Sequence, residues 1–433
     1  MARWLARQDH TGVEPYWELT FDADGDVDTA QREALLSGTE RESVTDLLVF
    51  AHGWNNDKKD ARKLYRRFFA PFARLAAPEV RLGYVGVLWP AIRFPDEPIP
   101  DFDPSAAATA TAVAAPVLDA ATRQALDRAF PGHGPTLDRI AELLAERSDV
   151  PSRVYEFGRH VRELVSLRET SPARNLGEDL GAGEPAMLTD DAVQVCEVLA
   201  AASRAETGRP ERLADVRERV WDGAYELLRQ GAYFAMKRRA GAVGQLGLGP
   251  AIGLLSADVP RVRVHLIGHS FGARLVSYAL RGMPADVRAV KSVTLLQGAF
   301  SHYAFAERLP HDRSRGGTLR GVQHRVDGPL VSCYSRHDDA LGRLYPLASK
   351  LSGDSTSFLH LWERWGAIGY GGIRAVDGAK GIRLGEAMPA EGCVSVDAAS
   401  VVRRGGPPAG AHSDVCHEEL ARAVCAAGRI PLA

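Results

Sequence analysis

The sequence predicts an α/β fold built on a mostly parallel, doubly wound sheet, with a helical insertion ahead of the strand at 262–267. Three observations predict it. Residues 45–51 and 80–89 form short, almost wholly apolar runs, the pattern of strands covered on both faces. Between them, residues 58–76 are rich in helix formers, with Leu64, Phe68, Phe69 and Phe72 at helical spacing. A third apolar run, 262–267, passes through a glycine-flanked turn into a helical pattern at 273–280. Strand, helix and strand in alternation make the crossover units of a parallel sheet.

The remaining elements follow in order. Residues 16–21 read as an entry strand, followed by an aspartate-rich turn at 22–26 and a polar helix at 29–36. From 95 to 210 the chain turns proline-rich, then Ala/Thr-rich, then helical in pattern, with no convincing strand. A long helix is expected over 213–240, and the glycine-rich stretch 241–253 reads as a loop or broken helix. Strands are expected at 292–296, 330–334 and 393–397, and a closing helix at 418–427. The chain thus divides into a first part of the sheet core (1–97), a helical insertion (98–212) and the remainder of the core (213–433).

Hydrophobic residues make up 45% and charged residues 25% of the chain, the balance of a globular protein. The 53 basic and 55 acidic residues nearly cancel, which argues against nucleic acid or another polyanion as partner. Residues 1–10 lack a basic segment followed by an apolar run, so a cytoplasmic location is expected. The small-apolar tract 106–115 is shorter than the roughly 20 residues a membrane span takes, and no transmembrane helix is expected. Five cysteines without a Cys-x-x-Cys pair suit reduced, packing thiols.

Chemistry concentrates at Gly268-His269-Ser270-Phe271-Gly272. In a chain with 42 glycines, Gly-x-Ser-x-Gly alone is a weak signal, but here it joins an apolar strand to a helix. In that setting Gly268 and Gly272 let strand and helix approach closely, and the serine is held in a strained turn that presents its hydroxyl. The helix start puts unpaired N–H groups beside it, with the Phe271 amide as the expected donor to an oxyanion.

At these residues the chain resembles the α/β-hydrolase superfamily, in particular bacterial esterase-like and lipase-like members of undefined substrate. The resemblance covers most of the chain outside the insertion and implies an α/β-hydrolase fold with Ser270 as nucleophile. A second oxyanion amide in that superfamily comes from a His-Gly-x loop after an early strand, which maps onto His52-Gly53-Trp54 and implies the Trp54 N–H. His52 and Gly53 then support the loop. Asn55 and Asn56 fit the turn their side chains favour.

The expected strand 330–334 leads to Asp338 and Asp339, either of which would emerge at the sheet edge. Asp338 is chosen because an apolar residue, Leu341, follows it as in the superfamily; Asp339 stays as the alternative acid. Of the later histidines, His360 lies in an aromatic-rich stretch and His417 enters the closing helix. His412 follows the last strand, where the superfamily places its base. The resemblance therefore implies an acyl-enzyme on Ser270, with His412 as base and Asp338 orienting it, and no metal or organic cofactor.

Competing signals are weaker. Asp22, Asp24, Asp26 and Asp28 with Glu33 imitate a calcium loop, but Val27 stands where its glycine belongs. His412, Cys416 and His417 match no common zinc spacing. Gly244, Gly247 and Gly249, like Gly369, Gly371 and Gly372, neither follow a strand nor open a helix, and read as flexible loops rather than phosphate cradles. The function expected is hydrolysis of a small-molecule carboxylic ester, with the insertion as a lid. The alternative is a silent hydrolase-like scaffold that binds a protein through the insertion.

Overall fold

The computed structural model describes residues 12–92, 118–180, 186–207, 216–344, 366–406 and 409–433. Eight strands are formed: β1 (Tyr16–Thr20), β2 (Asp46–Ala51), β3 (Leu82–Leu88), β4 (Arg263–His269), β5 (Val290–Leu296), β6 (Pro329–Tyr334), β7 (Lys380–Arg383) and β8 (Gly392–Asp397). They make one sheet in the order β1-β3-β2-β4-β5-β6-β8-β7, and every pairing is parallel. All strands therefore end on one edge. β2, β4, β5 and β6 are buried along nearly their whole length.

Alternate side chains sort into two cores. Leu47, Val49, Val264, Leu266, Val293 and Leu295 face one of them, Leu48, Phe50, Ile267, Leu296, Val331 and Cys333 the other. The first core takes Leu35 and Leu36 from α1 (Thr29–Arg41). The second takes Tyr65, Phe68 and Phe69 from α2 (Lys58–Phe69) and Phe72 from the single turn α3 (Phe72–Leu75). The sequence reads 58–76 as one helix; Pro71 interrupts it because it has no N–H for the ladder.

The insertion contributes α4 (Ala120–Ala129), α5 (Gly134–Glu146), α6 (Pro151–Val165), the short α7 (Ala186–Thr189) and α8 (Ala192–Thr207), with no strand among its described residues. The tract 106–115 lies outside the described residues. Next, α9 (Val216–Ala242) packs on α6 and α8 and also on the helix after β4. Its Trp221 Nε1 donates to Ser148 O at 2.8 Å, while Arg239 donates to Pro90 O and Ala129 O, both at 2.7 Å. Insertion and sheet thereby share one helix.

The stretch 241–253 is not a loop. It continues α9 through a π-helical turn, Val243–Leu248, into α10 (Gly249–Asp258), which packs against α11 (Phe271–Gly282). Its glycines serve contact: a Cβ at Gly244 would lie 2.2 Å from Leu275 O, and one at Gly249 2.6 Å from Ala279 O. The run Val220–Asp258 is long and apolar enough to cross a bilayer, and 67% of its most apolar window is buried inside the fold. The chain closes with α12 (Ile368–Gly371) and α13 (Glu418–Gly428), the latter giving Leu420, Val424 and Cys425 to the second core.

β7 has no counterpart in the sequence reading. It is a four-residue edge strand of Lys, Gly, Ile and Arg, mostly exposed, and charged edges of this kind resist further pairing. Gly244→Ala should lower stability by about 2 kcal/mol, since neither backbone can retreat from the added methyl; an unchanged midpoint in urea unfolding would contradict this packing.

Candidate active site

Strand order reverses between β2 and β4: from β2 the chain fills one side of the sheet with β3, then crosses to begin the other with β4. In open parallel sheets such a reversal leaves a crevice at the carboxyl ends of the two strands. His52-Gly53-Trp54 leaves β2 here, and Ser270 leaves β4. Ser270 is the single residue between β4 and α11, at φ 56° and ψ −119°, a conformation that costs an L-residue roughly 1–2 kcal/mol.

Neighbouring backbone holds it there. The Ser270 N–H donates to Leu296 O at 3.0 Å, and its carbonyl accepts from Ala273 N and Ala299 N at 3.1 and 3.2 Å. A Cβ on Gly268 would stand 2.3 Å from Gly272 O; one on Gly272 would stand 2.0 Å from Ala51 O. Gly53 is pressed against the serine itself, where a Cβ would meet Ser270 Cβ at 2.8 Å. Each glycine is thus required by a close approach of main chains or of the serine.

His412 Nε2 lies 2.9 Å from Ser270 Oγ, and its Nδ1 lies 2.8 Å from Asp338 Oδ2. A carboxylate accepts, so Nδ1 carries the proton and Nε2 is left to accept from the serine hydroxyl. With both ring nitrogens engaged, the acid that meets His412 is Asp338 and not Asp339. Asp338 is fully buried, and its Oδ1 accepts from Leu341 N at 3.0 Å. Burial pushes its carboxyl above the usual range, against the pull of His412. Ser270 is 2% exposed and the His412 side chain 13%, so the histidine is the most accessible of the three.

The loop carrying His412 is tied down by Asp414, whose Oδ2 accepts from Arg403 N and Arg404 N at 3.0 and 2.9 Å. Burial alone would raise the Asp414 carboxyl, but its bonds, that from His417 foremost, hold it below the ordinary value. His417 stands at the N-cap of α13, 2.8 Å from Asp414. His360 lies outside the described residues.

Phe271 opens α11, and its N–H has no protein acceptor among the described residues. Across from it, the His52 loop is braced on every side. His52 Nδ1 donates to Gly53 O at 2.7 Å, Trp89 Nε1 donates to His52 O at 2.9 Å, and the Tyr65 hydroxyl accepts from His52 N at 3.2 Å. Burial drops the His52 imidazole to about 4, so it is a neutral brace. The Trp54 ring meets Tyr233 and Phe271 edge-on, centroids 5.1 and 6.2 Å apart. Asn55, at φ 54°, sends its N–H to Ile92 O at 2.9 Å, and Asn56 Nδ2 donates to Trp54 O at 2.9 Å; both build the turn.

Three neighbours were not found from the sequence. His269 Nε2 donates to His412 O at 2.8 Å. Gln297, in the turn that clamps Ser270, sits at φ 43° with its side-chain amide buried and unpaired among the described residues. Arg274, one turn beyond Ser270, is wholly buried against Asp179, which Lys237 Nζ approaches to 2.8 Å. Burial alone would raise the Asp179 carboxyl; the two cations hold it well below its usual value. This pairing fastens the 173–180 segment to the helix that opens at Phe271, and no local pattern marks residues 95 apart as partners.

A second Ser–His–Asp set lies near the opposite edge of the sheet. His265 Nε2 is 2.9 Å from Asp46 Oδ1, and its Nδ1 is 2.9 Å from Ser292 Oγ. All three are buried, and Ser292 stands within β5. The set is a cross-strand polar ladder. Two aspartates of the 22–28 turn are occupied structurally: Asp22 Oδ1 accepts three backbone N–H groups within 3.0 Å, and Asp28 caps α1. Ser292→Ala leaves His265 Nδ1 without its donor and should lower stability by about 1–2 kcal/mol; a urea midpoint equal to wild type would show that the ladder contributes nothing.

Compared with protein-family models, curated proteins and solved structures, the chain finds no match.

Proposed function

We propose that this protein is a serine hydrolase of the α/β-hydrolase type that cleaves carboxylic esters through an acyl-enzyme on Ser270. Thioesters and amides are variants of the same acyl transfer. One observation carries the reading: Ser270, at φ 56° on a strand-to-helix turn, is bonded in series to His412 and the buried Asp338 at 2.9 and 2.8 Å.

In the proposed reaction the Ser270 oxygen attacks the ester carbonyl while His412 Nε2 takes its proton. Asp338 stays ionised, keeps the imidazole proton on Nδ1 and stabilises the imidazolium that forms. The negative oxygen of the tetrahedral intermediate lies between the N–H groups of Phe271 and Trp54, and donors of this kind are each worth roughly 3–4 kcal/mol in the transition state. His412 then gives its proton to the leaving alcohol, and the acyl group remains on Ser270. Water enters, loses a proton to His412, attacks the acyl carbon, and the acid departs as Ser270 regains its hydrogen.

With p-nitrophenyl acetate the wild-type protein should turn over and release p-nitrophenol. Ser270→Ala should lower kcat by about 10⁴-fold or more, and Asp338→Asn by about 10⁴-fold through the wrong imidazole tautomer. Ser270→Ala turning over at the wild-type rate would overturn the assignment.

A further inference from the structure

The acyl-transfer scheme leaves His269 without a part. Its ring is enclosed beside the reacting groups, with its centroid 5.1 Å from that of His412. Nε2 faces the His412 carbonyl at 2.8 Å, and a carbonyl only accepts, so Nε2 carries the proton and Nδ1 is bare. That bare Nδ1 is buried with no partner among the described residues. Gly53 crowds it, since a Cβ on that glycine would lie 3.2 Å from Nδ1.

An unpaired buried acceptor costs roughly 1–3 kcal/mol, and an apolar residue of similar size would avoid that loss. What the imidazole supplies, and leucine or phenylalanine cannot, is an N–H aimed at the main chain of the base. The other main-chain bond of His412 itself is longer, from His412 N to Ala409 O at 3.3 Å, while the residues beside it are held by Ala411 N to His337 O at 2.8 Å and by Asp414. His269 is also covalently joined to Ser270. Its bond therefore ties the backbone of the base directly to the strand that carries the nucleophile. Burial, and the neighbouring His412, bring its imidazole down to about 3, so it stays neutral and does not compete for the proton that His412 handles.

We propose that His269 is a positioning residue: its Nε2–H fixes the His412 main chain so that the imidazole stays within hydrogen-bonding distance of Ser270. The proposal rests on the hydrolase reading and adds to it a second histidine that touches neither substrate nor the transferred proton.

Two full-length variants test it. His269→Leu removes the donor, whereas His269→Gln keeps an N–H close to the position of Nε2. A misplacement of about 1 Å at a reacting group can cost on the order of 100-fold in rate. With p-nitrophenyl acetate, His269→Leu should lose about 10- to 100-fold in kcat with KM within about twofold of wild type and no fall in melting temperature. His269→Gln should recover most of that loss. Wild-type kcat in His269→Leu, or equal losses in both variants, would overturn the proposal. A readout independent of activity is the NMR signal of the His412 Nδ1 proton shared with Asp338. It should shift or broaden in His269→Leu and return in His269→Gln, and an unchanged signal in His269→Leu would refute the positioning role. An inert wild-type protein would defeat the hydrolase reading alone, and the NMR comparison would still decide the bond.

Discussion

The rest of the site depends on one close approach, where the end of β2, the end of β4 and the start of α11 meet with no side chains between them. Gly268 and Gly272 leave room for Gly272 O and Ala51 O to come within what a Cβ would forbid. The chain can then turn from strand to helix over Ser270 alone. The strain at that residue is met by three main-chain hydrogen bonds, one with the last residue of β5, one with the turn after it and one within α11. Once the serine is fixed, the Phe271 amide is fixed at the helix start beside it, and Gly53 brings the His52 loop against its other side.

The two Ser–His–Asp sets in this chain show why residue types and hydrogen bonds do not by themselves make a nucleophile. Asp46, His265 and Ser292 join the same three residue types as Asp338, His412 and Ser270 at nearly the same distances, but with the ring reversed: His265 turns Nε2 to the acid and Nδ1 to the serine, His412 Nδ1 to the acid and Nε2 to the serine. They lie across three neighbouring strands, beside a register shift between β4 and β5, and the Ser292 backbone belongs to β5. At Ser270 the serine stands just past the last residue of β4 at φ 56°, at the positive end of a helix, and its histidine partner is partly exposed. Backbone setting, the adjoining helix start and the orientation of the imidazole, rather than the residue types, set the Ser270 group apart from the buried ladder.

Much of this was legible in the sequence, because buried parallel strands are apolar over their whole length and catalytic loops follow their ends. β2, β4, β6 and β8 were read from such runs, and Ser270, Asp338 and His412 were each chosen by position after one of them; the structure brings the three into contact. β7 was missed because an exposed, charged edge strand carries no apolar signal. The 241–253 stretch was left open between a loop and a broken helix because glycine marks both loops and close helix contacts; the helix is the one formed, with α11 lying against it. His269 and Gln297 were invisible for a different reason: burial, an orphaned polar atom and a positive φ are properties of the assembled turn. Arg274 with Asp179, paired across 95 residues, likewise exists only once the insertion folds back.

Of Ser270 and Ser292, each bonded to a histidine, we propose that Ser270, and not Ser292, is the activated one. This assignment is tested most directly by treating the folded protein with a fluorophosphonate and locating the adduct by peptide mass spectrometry. The account predicts one phosphonyl group on the peptide containing Ser270 and none on the peptide containing Ser292. An unmodified Ser270 in folded protein, or an adduct that forms equally on Ser292, would contradict it.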